Sequence, residues 1–405
     1  MNEQYKWIIV LLLWLGHVAF HLSYTGIGAL APFIKSNFSL TSTQVGFLAS
    51  TVSIGSILTQ IPTGFLSDVI GLKTIFFVGV FSIGLSVLAA SLSNSYFILI
   101  ITLLCLGLGG GFTQSPSSKA VMYWFPLKGR ATAMGVKQTG VNAGGMLACF
   151  LLPPIATYYS WRCAYVVSGL LCLIIAGFIF FLYREHPSFH PVKIADSKSI
   201  FRNTFKIFSS KDMILITLIG IFFMVSQHSF ITHAILYFTK KLNYTVGFAG
   251  VIAALSLGSG AMARIGWGIF SDYLMKGRRK SILIFLSIMG IASTGAIGLL
   301  DPSYPIWLVL LSIILFGFSC IGWNAVWLTT IGELSGKELV GMATGICVTA
   351  SYTGMMLGPL VFGYIVDSTG SYTSAWMFLV MCSGIVLLMS ILLGKQDVEG
   401  NPLNP

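Results

Sequence analysis

The chain has 405 residues, of which 56% are hydrophobic and only 9% are charged, and its formal net charge at pH 7 is +11. A water-soluble domain carries roughly 25% charged residues, so the composition excludes a globule surrounded by water and predicts an integral membrane protein. A positive net charge can indicate a nucleic acid partner, but there is no long basic run with interleaved aromatic residues, and we exclude that partner.

The predicted elements are membrane-spanning helices, each an apolar segment of about 20 residues or more. The first begins at Trp7 and is too long for the apolar region of a signal peptide, so we expect it to be retained. Seven cysteines fall inside apolar segments without a CxxC pair, which favours small core residues over a disulfide or metal framework. In chain order the twelve predicted spans are 7–31, 43–67, 74–93, 96–125, 130–155, 160–183, 212–238, 245–271, 281–300, 304–331, 339–366 and 372–394.

A polar connection divides these spans six and six. We therefore predict an all-α membrane protein with an N-terminal six-helix bundle at 1–183, a cytoplasmic linker at 184–211 and a C-terminal six-helix bundle at 212–405. The two halves repeat, because GFLSDVIGLK at 64–73 aligns with GIFSDYLMKG at 268–277. Parallel halves of this kind hold a substrate near the middle of the membrane.

The basic residues are distributed unevenly between the loops. With both termini in the cytoplasm, sixteen Lys and Arg residues lie on the cytoplasmic side, and only Lys35, Arg162, Lys240 and Lys241 lie on the other side. This excess follows the positive-inside rule. It predicts a multi-pass protein of the cytoplasmic (inner) membrane with both termini inside the cell.

Two loop motifs give the chain a resemblance to the major facilitator superfamily over its whole length. The family pattern G-x-L-a-D-R-x-G-R-K is matched by Gly64, Leu66, Asp68, Gly71 and Lys73. A looser copy, with Gly268, Asp272 and Arg278, follows the eighth span. The resemblance implies two pseudo-symmetric bundles that transport a solute by alternating access.

Two further segments resemble particular branches of that family. The segment 123–145 resembles the anion:cation symporters and the cyanate-transporter-like branch. The segment 263–272 resembles the oxalate:formate antiporters and the monocarboxylate transporters, which have an anion-binding arginine in the eighth span. The resemblance implies an anion-binding role for Arg264 alone. The oxalate exchangers pair this arginine with a lysine in the eleventh span, and here that span has no lysine but contains Tyr352 among its polar residues.

Three cations lie inside predicted spans, whereas all twelve acidic residues map to tails, loops or helix ends. The cations are Lys119, Lys137 and Arg264, and Arg264 lies about 12 Å from the cytoplasmic end of its span. A central Lys or Arg costs about 2.5–3.5 kcal/mol on insertion, so cations without carboxylate partners predict an anionic substrate. The alternatives are a latch from Arg264 to Asp272 or to a helix-end carbonyl, and snorkelling of either lysine to the membrane surface.

Other polar residues inside the spans complete the predicted site. The histidines are candidates for proton coupling, since their pKa lies near physiological pH and no central carboxylate is present. His17 and His21 share one face of the first span, and His228 lies on the seventh; the alternative for each is a neutral histidine hydrogen-bonded between helices. The predicted substrate-binding set is Arg264, Lys137, Lys119, Asn324, Tyr352 and Gln138.

Charged residues at the cytoplasmic ends of the spans predict a gate. Ion pairs among them, such as Asp68 with Lys73 or Glu333 with either Lys337 or Arg130, would hold the inward side closed and break as the bundles rock. The alternative role is helix capping and solubility. The predicted gating residues are Asp68, Lys73, Asp272, Arg278, Glu333 and Arg130.

These features predict a secondary transporter that takes up a small organic anion, expected to be a carboxylate, by proton symport. The expected partners are the anion, protons and the lipid bilayer, and we expect a monomer. No catalytic triad, ATP-binding motif or metal-ligand set is present in the sequence, so we predict neither an enzyme nor a cofactor. The alternatives are a drug/proton antiporter, which would more often carry an acid inside the membrane, an anion exchanger, and a transporter-like sensor.

Overall fold

The computed structural model of the chain describes residues 4–187, 189, 210–270 and 279–394. All regular elements within these residues are helical, which confirms the predicted all-α class. The helices are α1 (Tyr5–Ala29), α2 (Ala31–Asn37), α3 (Ser42–Ile70), α4 (Leu72–Ser91), α5 (Tyr96–Trp124), α6 (Leu127–Tyr158), α7 (Trp161–Leu182), α8 (Lys211–Lys240), α9 (Val246–Ile269), α10 (Arg279–Gly298), α11 (Ile306–Phe316), a π-helical turn (Gly317–Ile321), α12 (Asn324–Thr369) and α13 (Tyr372–Leu392).

Eleven helices in the described part are long and apolar enough to cross a membrane, or twelve if a bent pair within α3 counts as one span. The bend is 50° and falls at Pro62, because proline lacks an N–H and its ring clashes with the carbonyl one turn earlier. The predicted spans 304–331 and 339–366 also differ from the structure, because α12 runs without a break from the end of one into the other. It contains the end of the span Ile306–Ser335 and the whole of the span Met342–Thr369.

The chain divides into two compact units. The first consists of Met1–Ala195 with Thr245–Ala254, and the second of Asp196–Tyr244 with Leu255–Pro405. In the first unit α1 packs on α6, and α5 packs on both α3 and α4. In the second, α8 packs on α12 and α13, and α13 also packs on α10. The predicted linker at 184–211 lies largely outside the described residues.

Two glycines bring α1 and α6 into backbone contact in the first unit. A Cβ atom on Gly140 would lie 2.6 Å from the carbonyl oxygen of Trp14, and one on Gly144 would lie 2.5 Å from that of Val18. Only glycine fits at such distances, as in other close helix pairs with GxxxG spacing. The close contact brings the side chain of His17 against α6, where Gly140 faces its Cβ.

The structure explains why one position of the loop motif between α3 and α4 is a glycine. Gly71 has a φ of 115°, a conformation that glycine adopts without strain. The Oε1 atom of Glu185 accepts the backbone N–H of Lys73 at 2.7 Å, and a Cβ atom on Gly71 would lie 2.9 Å from that oxygen. The glycine therefore lets a carboxylate approach the N-terminus of α4, where the helix dipole favours negative charge.

The half-buried carboxyl group of Glu185 makes stability depend on pH. Burial raises its pKa, and the backbone N–H groups of Lys73 and Leu72 lower it in part. A raised pKa on folding gives stability below the ordinary glutamate pKa that is lost as pH rises through the folded pKa. We expect Glu185→Gln to remove this loss, so that the Tm of the variant relative to wild type rises by about 1–3 °C between about pH 4 and pH 7.

The control for this measurement is Asp301→Asn. Asp301 is exposed and accepts hydrogen bonds from Ser303, which lower the pKa of its carboxyl group. Its contribution is lost only as pH falls below the ordinary aspartate pKa, so its Tm difference from wild type should be flat above about pH 4. Parallel pH profiles for the two variants in detergent would contradict the assignment to Glu185.

Candidate functional site

The first unit contains a buried polar cluster formed by α1, α5 and α6. Lys137 on α6 is only 1% exposed, and its Nζ donates to the hydroxyl groups of Ser117 at 3.2 Å and Ser118 at 3.0 Å on α5. Nε2 of His17 on α1 lies 3.1 Å from the same Ser117 hydroxyl. Within the described residues Lys137 forms no salt bridge.

The hydrogen-bond pattern of this cluster assigns its donors. A serine hydroxyl has one proton and two lone pairs, and Ser117 donates its proton to the carbonyl of Gln114 at 2.9 Å. Lys137 occupies one lone pair, so His17 donates to the other and carries its proton on Nε2. The lysine ammonium has a third N–H, for which the described part of the chain provides no acceptor. Within these residues that donor is unused.

The second unit holds Arg264 on α9, beside the π-helical turn. Its Nε donates to the carbonyl of Ile321 at 3.3 Å. Among the residues that the structure describes, its terminal Nη groups have no hydrogen-bond partner and no carboxylate. The end of the guanidinium that forms a planar fork for carboxylates is thus unused. Asp272, the alternative latch partner, lies outside the described residues.

Lys119 has a carboxylate partner, contrary to the expectation from the sequence. Its Nζ lies 2.5 Å from Oδ1 of Asp68 and also donates to the carbonyl of Gly64. The premise that all three cations lack such a partner is therefore wrong for Lys119. The reason is that α3 continues to Ile70, beyond the predicted end of its span, so that Asp68 lies within the helix and faces α5.

The ion pairs near the predicted gate differ from those expected. Asp68 pairs with Lys119 instead of Lys73, whose ammonium lies 5.5 Å from the centre of the Phe180 ring. Within the described residues, Asp68 is therefore part of a pair inside the first unit. The gating role of Asp68 and Lys73 stays a prediction.

Glu333 forms an ion pair inside the second unit, where its Oε1 accepts from Nε of Arg279 at 3.1 Å. Arg130, in the first unit, donates to the carbonyls of Met122 and Phe125 at 2.9 and 3.2 Å. The side chain of Lys337, the other predicted partner of Glu333, lies outside the described part, and the gating role of Glu333 and Arg130 stays a prediction. Arg279 directly follows Arg278 in the chain, and the sequence alone does not show which of the two faces Glu333. Two other predicted gating residues, Asp272 and Arg278, lie outside the described residues.

The remaining histidines and polar candidates are distributed over both units. His21 on α1 is partly buried, with its ring centre 5.0 Å from that of Phe20, and His228 is buried on α8. The buried Nδ2 of Asn324 and Oε1 of Gln138 have no hydrogen-bond partner in the described part. Tyr352 packs at the edge of an apolar cluster in the second unit.

Sequence reasoning missed the hydroxyl groups that bind Lys137 and the tryptophan that lies beside Arg264 on α9. The hydroxyl groups of Ser117 and Ser118 bind Lys137. The sequence does indicate them, because the segment SPSSK at 115–119 concentrates polar residues inside a predicted span. Trp267 stands three residues after Arg264 and hence on the same helix face. Its contact with the π-helical turn has no counterpart in the sequence pattern.

Comparisons with known proteins establish the family. A model of the Major Facilitator Superfamily matches residues 13–331 and 234–404. The hexuronate transporter of Bacillus subtilis (strain 168) is 25% identical over 405 residues, covering 96% of this chain and 94% of its own length. The probable galactarate/D-glucarate transporter of Escherichia coli (strain K12) is 24% identical over 324 residues, which cover 71% of each chain.

A solved structure supports the fold independently. The crystal structure of a D-xylose-proton symporter superposes with a TM-score of 0.79 at 16% identity, over 98% of this chain and 100% of that one. This likeness concerns the fold alone. Together with the family match across the chain, it shows that the protein, as its loop motifs predicted, belongs to the Major Facilitator Superfamily of membrane transporters and is not an enzyme.

Proposed function

We propose that the chain takes up a sugar acid, a small polyhydroxylated carboxylate, by proton symport through alternating access. The observation that carries this proposal is made in each unit by itself: Lys137 in the first unit and Arg264 in the second are cations with unused donors. In the described residues neither has a carboxylate partner. A cation inside the membrane without a counterion is costly, and an anionic substrate would supply the missing charge.

The polyhydroxylated part of the substrate is supported by buried amide groups. Both amide atoms of Asn142 on α6, Oε1 of Gln138 and Nδ2 of Asn324 are buried without a hydrogen-bond partner in the described part of the chain. Such groups are costly unless a ligand satisfies them, and they discriminate strongly for hydroxyl-bearing substrates. Hexuronate, galactarate and D-glucarate, the substrates in the names of the two relatives, all combine carboxylate and hydroxyl groups.

Proton coupling is supported by the position of His17. It shares the hydroxyl of Ser117 with Lys137, so a second proton on its ring would add positive charge beside the proposed anion-binding lysine. Proton and anion would then each strengthen the binding of the other, as reciprocal linkage requires. His21 and His228 stay alternative carriers.

Uptake into proteoliposomes tests the proposal. We expect saturable uptake of D-glucuronate or D-glucarate, stimulated at least about fivefold by an inward proton gradient, and no uptake of a cationic dye. A transporter that binds its substrate at buried cations discriminates first by the charge of the solute. A cationic solute at such a site would add electrostatic repulsion to the cost of its desolvation. The measurement is the initial rate with radiolabelled solute, with and without the gradient.

The controls separate the alternatives. Protein-free liposomes report leakage, and vesicles preloaded with unlabelled sugar acid report exchange. Uptake that requires the preloaded solute and has the same rate with and without the proton gradient would indicate an anion exchanger. Proton-driven extrusion of the dye would indicate a drug exporter, and a ligand-dependent rise in Tm without any flux would indicate a sensor.

A further inference from the structure

The π-helical turn between α11 and α12 shifts the backbone hydrogen bonds by one residue. The N–H of Gly322 donates to the carbonyl of Gly317, five residues earlier, at 2.9 Å. In an α-helix it would donate to the carbonyl of Phe318, four residues earlier. The Phe318 carbonyl is therefore left without its helical donor, and inside a membrane such a group needs another partner.

A side chain of α9 supplies that partner. Nε1 of Trp267 donates to the Phe318 carbonyl at 2.8 Å, while Nε of Arg264 donates to the carbonyl of Ile321 at 3.3 Å. The two donors lie three residues apart on one face of α9, and the two acceptors lie three residues apart on the neighbouring segment. This two-point contact fixes the rotation of α9 against the π-helical turn.

Backbone contact makes the arrangement rigid. A Cβ atom on Gly317 would lie 2.4 Å from the carbonyl oxygen of Ser256, and one on Gly322 would lie 2.5 Å from Cβ of Ala263. The indole ring of Trp267 also packs edge-on against Phe285, with ring centres 5.7 Å apart. Close packing of this kind restricts sliding of α9 along the turn.

The contact determines which part of Arg264 is available. With Nε bound to a carbonyl, the two Nη groups point away from the backbone contact as a planar fork, the geometry that binds a carboxylate through two parallel hydrogen bonds. An arginine held by its own Nε loses less conformational freedom when an anion binds, and a preorganised group binds more tightly. We propose that the π-helical turn and Trp267 position Arg264 for the anion, an inference that rests on the proposed function.

The variant Trp267→Phe tests this positioning role. It keeps an aromatic ring against Phe285 but removes the N–H, which leaves the Phe318 carbonyl unpaired. We expect the KM for D-glucuronate uptake to rise about 5–20-fold, with the maximal rate per folded transporter within about twofold of wild type. The KM does not depend on how much protein folds, so partial misfolding does not imitate the effect. An unchanged KM would overturn the inference.

The matched control is Trp327→Phe. Trp327 is in the same unit, and its Nε1 donates to the carbonyl of Ile216 at 2.7 Å, so this variant loses the same kind of hydrogen bond, but one to α8 instead of the π-helical turn. We expect its KM to stay within about twofold of wild type although its Tm falls. An equal rise in KM for both variants would overturn the inference, because the effect would then be general to hydrogen-bonded indoles.

Variants of Arg264 distinguish the inference from the proposed function. In the Arg264→Gln background, Trp267→Phe should have no further effect on D-glucuronate binding, whereas an additive loss would overturn the positioning role. If Arg264→Gln alone leaves the KM unchanged, the proposed function fails at Arg264. Should Trp267→Phe not fold, Arg264→Lys keeps the charge without the fork, and a KM near the wild-type value would overturn the inference.

Discussion

Arg264→Gln is expected to lower sugar-acid uptake by about 100-fold or more while the folded protein keeps its Tm. A bidentate contact between arginine and a carboxylate contributes two charge-assisted hydrogen bonds, each worth about 1.5–3 kcal/mol, and every 1.4 kcal/mol is about tenfold in affinity. The Tm should not fall with the uptake rate. Within the described residues Arg264 has no carboxylate partner, so the variant loses a single hydrogen bond to a carbonyl. Initial uptake rates and Tm, measured on the same preparation, check both parts.

The control for this substitution is Arg162→Gln. Arg162 also donates to a carbonyl, that of Ser93 at 2.7 Å, and its guanidinium lies 4.3 Å from the centre of the Trp161 ring, but it lies at the end of a span. Its loss should change uptake by less than about twofold. A reduced Tm with normal uptake for Arg264→Gln would instead identify Arg264 as a structural latch, the alternative that its sequence position left open.

The sequence predicted the parts of this protein that depend on local pattern. The length of the apolar segments predicted the helices. The loop motif identified Gly71, and the structure explains the positive φ of this glycine by the approach of Glu185. The cations inside the spans were visible because charge is rare there. Each of these features is decided by residues close together in the chain, and it could therefore be inferred without knowledge of tertiary contacts.

The features that the sequence did not predict depend on how helices meet. The pairing of Lys119 with Asp68 requires the last turn of α3 and its register against α5. The contact between His17, Ser117 and Lys137 requires the relative rotation of three helices. The π-helical turn inserts one residue within a segment whose polar residues are two serines, Ser312 and Ser319. Such a segment has no continuous polar face from which the inserted residue could be detected.

Lys137→Met is expected to lower uptake by about 100-fold and at the same time to stabilise the empty protein. Lys137 is a buried cation whose only partners in the described residues are two neutral hydroxyl groups, and replacing an unpaired buried charge by an apolar side chain of similar length removes a desolvation cost of about 1–3 kcal/mol. The same charge is what the proposed substrate needs, so uptake of D-glucuronate should fall by about 100-fold. Opposite changes in stability and activity are typical of a residue kept for function.

Lys119→Met supplies the matched comparison, because this lysine lies in the same unit but is paired. Its removal leaves Asp68 without a counterion, and since the two side chains are 28% and 40% exposed, we expect a loss of about 1 kcal/mol. Asp68→Asn should cost a similar amount, and the double variant should cost less than the sum. Measurement of Tm for Lys137→Met beside these three variants separates an unpaired functional cation from a paired structural one. A loss of stability in Lys137→Met equal to that in Lys119→Met would mean that Lys137 is also paired in the empty protein, and the anion would then have to compete with an internal partner.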